Sequence, residues 1–223
     1  MAVADVPEPR SGVVASLDVV ALRAIAEELD ATIELVPRIG GYVERDRALF
    51  RVLPARHIET GDLQEKVALA DERTIDQDPL FAIRLMVDIA IRALSPAIND
   101  PTTAVQALDR IGDFLIHVVG RRLDARWTAG AEGRDRLFIR MPTWDDVLEL
   151  SFSEVRYFGG SSMQVVRKLR SVLEGLLDAA HSQRRPSVEN ELRLLDRCVE
   201  QNFPNVIDRQ IVSVADAQGL GGR

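Results

Sequence analysis

The order of apolar and polar residues divides the chain into a β-rich beginning and a helical remainder. Three short runs alternate or are rich in β-branched residues, which predicts strands: SGVVASL (11–17), TIELV (32–36) and ALFRVL (48–53). Asp18 precedes the periodic run ALRAIAEEL and predicts a capped helix after the first strand. The pattern therefore predicts a strand–helix–strand–strand module.

Beyond this module the apolar spacing is helical. Asp78-Pro79, Asp100-Pro101 and Thr143 with Asp146 each place a capping residue before an amphipathic run. Residues 57–70 predict a weaker helix and residues 137–141 (LFIRM) a short strand. We therefore expect an α+β, mainly α fold, with a β-rich domain at 1–56 and a helical domain of five or six helices at 57–223.

Composition narrows the function classes. The net charge of −7 argues against nucleic-acid binding, which needs a basic face. Cys198 is the only cysteine, so an intrachain disulfide is excluded and a reducing cytoplasm is the expected compartment. No apolar run in the sequence reaches the roughly 20 residues needed to span a bilayer.

The first candidate site is a charged stripe on the helix that begins at Asp78-Pro79. Arg84, Asp88 and Arg92 are spaced i, i+4, i+8 on an otherwise apolar helix. One interpretation is a solvated edge. The other is a polar interaction site that faces the SPAINDPTT turn or a neighbouring subunit.

That turn adds Ser95, Asn99, Asp100, Thr102 and Thr103 to the candidate interaction or ligand site. Helix capping by Asp100 explains every residue except the second threonine. A helix N-terminus with two hydroxyl groups could instead bind an anion.

A second anion candidate is the run YFGGSSMQVVRKLR, with Gly160, Ser161, Ser162 and Arg167. The run lacks the Gly-Lys-Ser/Thr spacing of a P-loop, and we favour a loop followed by a helix cap over an anion site. No enzyme motif is present, and the histidines lack metal-ligand spacing. The sequence therefore predicts no catalytic residue, metal site or cofactor.

The segment ERTIDQDPLFAIRLMVDIAIRALSPAINDPTTAVQALDRI resembles the hallmark segment of a bacterial family of predicted membrane proteins, domain of unknown function 2254. SGVVASLDVVALRAIA, RIGGYVERDRALFRV, FSEVRYFGGSSMQVVRKLRSVLEGL and NFPNVIDRQIVSVADAQGLGG continue the resemblance over nearly the whole chain. Members typically begin with several transmembrane helices, so the resemblance covers only their C-terminal region. It implies no established activity.

The resemblance supports two hypotheses about function. The first is a regulatory or assembly module that forms a homo-oligomer and associates with the membrane through a membrane-protein partner. The second is a protein or enzyme that binds a small anion or phosphate at Asp100–Thr103 or Gly159–Ser162. The hairpin around Gly41 is similar to those of lipoyl and biotinyl carriers. Residues 11–65 contain no lysine, however, so carrier chemistry is excluded.

Overall fold

The computed structural model describes residues 3–56, 59–121, 123 and 136–219. Its contacts form two compact units. The first comprises Met1–Phe81 and Asp124–Met141, and the second comprises Ala82–Leu123 and Pro142–Arg223. The first unit thus extends past residue 56, where the sequence predicts the boundary between the two domains. That domain boundary stays a prediction.

Seven strands lie in the described part of the first unit. They are β1 (Ala4–Pro7), β2 (Gly12–Leu17), β3 (Thr32–Leu35), β4 (Tyr42–Val43), β5 (Ala48–Leu53), β6 (Val67–Ala70) and β7 (Leu137–Phe138). They form a four-stranded sheet in the order β1-β5-β3-β7 and a three-stranded sheet in the order β4-β2-β6. All neighbours are antiparallel except β3 and β7, which are parallel.

The predicted strand–helix–strand–strand module is confirmed as β2, α1 (Val19–Glu28), β3 and β5. Asp18 caps α1 by accepting a hydrogen bond from the backbone N–H of Ala21 at 2.9 Å. Val14, Leu22, Ile33 and Phe50 are fully buried in one hydrophobic core of strands and helix.

The helix predicted over 57–70 is wrong for most of its described length. Residues 57 and 58 lie outside the described residues, and only α2 (Thr60–Gln64) is helical. Val67–Ala70 is strand β6, which pairs antiparallel with β2. A four-residue apolar run fits either structure, and the open edge of β2 decides between them.

Six helices follow α2 in the described residues, so the described part of 57–223 contains seven helices, one more than the five or six predicted. The six are α3 (Pro79–Ala93), α4 (Pro101–Val118), α5 (Trp144–Gly159), α6 (Met163–Ala179), α7 (Arg185–Asn202) and α8 (Val206–Val212). The α+β, mainly α fold is therefore confirmed. No helix in the described ranges is both long and apolar enough to cross a membrane.

Helix α6 lies at the centre of the second unit and packs against α4, α5, α7 and α8. Leu169, Leu173 and Leu176 form its buried apolar stripe. Gly112 of α4 lets the backbone approach Val172 of α6, since a Cβ there would lie 3.2 Å from a valine methyl. This packing places Arg167, Lys168 and Arg170 of α6 below the surface.

Candidate functional site

The charged stripe of α3 is divided between a paired end and a free end. Arg84 Nε donates to Asp88 Oδ1 at 2.8 Å. The same guanidinium reaches Glu154 of α5, with Nη1 2.5 Å from Oε1 and Nη2 3.1 Å from Oε2. Arg92 is exposed and makes no hydrogen bond or ion pair with any described residue. Arg84 therefore bridges two helices, while Arg92 projects into solvent.

The hydrogen bonds between the two helices favour the charged forms of Arg84 and Glu154. The hydrogen bond from Arg84 lowers the pKa of Glu154 below its ordinary value. In return, the hydrogen bonds to Glu154 and Asp88 raise the pKa of Arg84. A two-pronged contact between guanidinium and carboxylate holds both helices in a defined orientation.

Exposed apolar side chains lie on the same two helices. Leu85 and Ile89 of α3 are 44% and 53% exposed, and Tyr157 and Phe158 of α5 are 82% and 47% exposed. The two aromatic rings meet edge to face, with centroids 5.2 Å apart. We call these four side chains, with the network of Arg84, Asp88 and Glu154, the α3–α5 surface.

The turn between α3 and α4 is built by local hydrogen bonds. The Ser95 carbonyl accepts from the N–H of Asn99 at 2.9 Å, and Asn99 has a left-handed φ of 47°. Asp100 caps α4 by accepting from the Thr103 N–H at 3.1 Å and from its hydroxyl at 2.5 Å. The hydroxyl bond, which is the stronger influence, lowers the pKa of Asp100. Thr102 is exposed at the first turn of α4.

The GGSS turn before α6 is closely packed. A Cβ on Gly160 would lie 2.4 Å from Cys198 Sγ and 2.8 Å from the Arg156 carbonyl oxygen. Ser162 caps α6 by accepting from the Val165 N–H at 3.5 Å, and Ser161 is exposed. Gly160 thus allows the end of α5 to approach α7.

Arg167 points toward the C-terminal segment of its own chain. It is 4% exposed, and Nε donates to the Val214 carbonyl at 3.0 Å. Nη1 lies 3.6 Å from Asp216 Oδ2. Asp216 also accepts from the N–H groups of Gln218 and Gly219, at 3.1 and 2.9 Å. The guanidinium is therefore neutralised by an internal carboxylate.

Lys168 and Arg170 are neutralised in the same way. Lys168 Nζ pairs with Asp109 of α4 and donates to the Ala217 carbonyl at 2.7 Å. Arg170 Nη2 pairs with Asp196 of α7 at 2.5 Å. The basic run that the sequence offered as an anion site is thus bound to its own carboxylates.

The structure brings together one residue from each predicted anion site. Thr102 and Arg167 both line a cavity of about 440 Å³ between α4, α6, α8 and the C-terminal segment. The sequence alone did not single out the other polar residues of this cavity. It also did not single out the three residues that α5 supplies to the α3–α5 surface: Glu154, Tyr157 and Phe158. The YF pair before the two glycines was the one local signal, because exposed aromatics are few in a chain with 5% aromatic residues.

Metal and thiol chemistry receive no support from the geometry. No group of three or more histidine, cysteine or acidic residues within the described ranges could hold a metal ion. Burial raises the pKa of the Cys198 thiol, which disfavours the reactive thiolate.

Comparison with known proteins identifies relatives of unknown function. A family model described as predicted membrane protein (DUF2254) matches residues 2–175. Uncharacterised proteins of Mycobacterium bovis and Mycobacterium tuberculosis are each 28% identical over 218 residues, which cover 94% of this chain and 42% of the relative. The chain thus spans less than half the length of these curated relatives. No solved structure matches.

Proposed function

The chain belongs to the DUF2254 family of predicted membrane proteins, and from this premise we propose that it is an assembly module that self-associates through the α3–α5 surface. The observation that carries the proposal is the exposure of two apolar pairs, Leu85 with Ile89 and Tyr157 with Phe158. Large apolar side chains exposed on two helices that an ion-pair network joins are typical of interaction surfaces.

The charges of this surface favour a second copy of the chain as the occupant. Asp88 and Glu154 have side chains 45% and 47% exposed and supply carboxylates. Arg92, which follows Ile89 by about one turn of α3 and adds to this surface, is exposed and supplies a cation without a partner among the described residues. A two-fold interface brings a patch against its own copy, so a patch with both signs of charge can pair with itself. Arg92 of one copy would then meet a carboxylate of the other.

Light scattering coupled to size-exclusion chromatography tests the proposal. We expect the wild-type chain to be a dimer and Ile89→Arg to be a monomer, because a charge would be buried at the centre of the interface. Ile116→Arg is the matched control, since Ile116 is also exposed, at 44%, but belongs to α4 and not to this surface. A monomeric wild type, or equal effects of the two variants, would refute self-association here.

The regulatory role and the membrane-protein partner also remain part of this proposal. Their support is the description of the family as predicted membrane proteins, together with the length of the relatives beyond the matched region.

The alternative, an anion-binding protein or enzyme, has less support. At the start of α4, the Asp100 carboxylate already accepts the N–H and hydroxyl of Thr103. At the start of α6, Arg167 already faces Asp216. An anion would have to compete with a carboxylate at either position.

A further inference from the structure

The cavity between α4 and α6 is open to solvent and has the volume of a small-molecule site. Thr102 contacts the same space as Gln164, and Asp109 pairs with Lys168 farther along both helices. The two helices therefore run parallel and begin at the same end of the unit. The volume of about 440 Å³ lies within the range of about 300–1,000 Å³ common for ligand pockets.

Three solvent-exposed side chains of this cavity can form hydrogen bonds and have no partner among the described residues. The Thr102 hydroxyl and the Gln106 and Gln218 amides make no side-chain hydrogen bond with any residue that the structure describes. Gln164, by contrast, donates to the Gly219 carbonyl at 2.5 Å. The free groups offer both donors and acceptors to a ligand.

The remaining lining combines apolar side chains with charges that are already paired. Met163 and Ile211 are 38% and 41% exposed and form an apolar wall. Arg167 faces Asp216, and Asp109 pairs with Lys168, so each charge in the lining has an internal counterion. A charged ligand would gain little from such a lining, whereas a neutral one can use the free amides and the hydroxyl.

We propose that this cavity binds an uncharged small molecule that carries hydroxyl or amide groups and one apolar face, as monosaccharides and nucleosides do. This inference is independent of self-association, because the cavity shares no residue with the α3–α5 surface.

Titration of the isotope-labelled 223-residue chain by two-dimensional NMR tests the inference. The neutral probes are N-acetylglucosamine and uridine, and the phosphorylated form of each is the charged counterpart. We expect the neutral probes to shift the amide signals of the cavity and to bind more tightly than the phosphorylated forms. Gln106→Ala and Gln218→Ala should each weaken binding about fivefold to tenfold, the usual effect of losing one neutral hydrogen bond.

Gln210→Ala is the control, because Gln210 is exposed on α8 next to Ile211 but does not line the cavity. The inference is wrong if neither neutral probe shifts the cavity signals, if the phosphorylated probes bind more tightly, or if Gln210→Ala weakens binding as much as the cavity variants. Thermal unfolding of each variant confirms that the fold is intact.

Discussion

Two helices of the second unit carry charge clusters that look alike in sequence and differ in burial. Arg84, Asp88 and Arg92 of α3 lie at the surface, and the Arg84 side chain is 21% exposed. Arg167 and Lys168 of α6 are each 4% exposed. The more exposed cluster thus lies on the more apolar of the two helices.

The difference arises from where each helix packs. α6 is surrounded by four other helices, so its cations are buried and each one is matched by a carboxylate from a distant segment. A buried cation without such a partner would be strongly unfavourable. On α3 the partners are near the surface, where an ion pair contributes little to stability. Charge spacing alone therefore does not distinguish a structural cluster from an accessible one.

The buried cations of α6 predict the largest change in the free energy of unfolding. Asp216→Asn leaves the Arg167 guanidinium buried without its carboxylate, so we expect the free energy of unfolding to fall by about 3 kcal/mol. Urea denaturation measures it. Asp178→Asn, at an exposed position of α6, should change stability by less than about 0.5 kcal/mol. Equal effects would show that the Arg167–Asp216 contact is not structural.

The close packing at the start of α6 predicts the second-largest loss of stability. Gly160→Ala places a methyl group against the Cys198 sulfur and the Arg156 carbonyl, so we expect a loss of about 2 kcal/mol in urea denaturation. Gly175→Ala is the control, since nothing lies within 4 Å of a Cβ there and alanine should stabilise the helix by about 1 kcal/mol. A stabilised Gly160→Ala would contradict the close packing.

The cap of α4 predicts a smaller, pH-dependent effect. Thr103→Val removes the hydroxyl bond that lowers the pKa of Asp100. A carboxyl whose pKa is lowered in the folded state stabilises the protein above its ordinary pKa, and this contribution disappears as the pH falls through the folded value. The variant should therefore have a lower urea midpoint than wild type at pH 7 and a smaller difference at pH 3. A pH-independent difference would point to packing instead.

The ion pair between Arg84 of α3 and Glu154 of α5 predicts the smallest change in the free energy of unfolding. Glu154→Gln removes one carboxylate from the Arg84 bridge, and because the Glu154 side chain is about half exposed we expect the free energy of unfolding to fall by under about 1 kcal/mol at pH 7. Since the pKa of Glu154 is lowered in the folded state, this loss should diminish as the pH falls below the ordinary range of a glutamate. High salt should also reduce it. A loss as large as that of Asp216→Asn would remove the contrast between α3 and α6.

Local chemistry determined much of the fold in advance. Asp18, Asp100 with Pro101, and Thr143 with Asp146 begin helices as predicted, because each cap satisfies N–H groups of its own first turn. Strands β2, β3 and β5 follow from alternation and β-branching in runs of four to six residues. These interactions join neighbours in sequence, so the sequence pattern contains them.

Tertiary structure decided the features that join distant residues. Strand β6 forms because β2 offers an unpaired edge, and β7 joins β3 from about 100 residues away. Glu154 meets Arg84 from 70 residues away, and the cavity needs residues of α4, α6, α8 and the C-terminal segment. Sequence by itself thus determined where most elements begin and the family to which the chain belongs. Packing alone decided which charges are buried and which remain available for binding, because burial depends on neighbours that periodicity within one segment does not reveal.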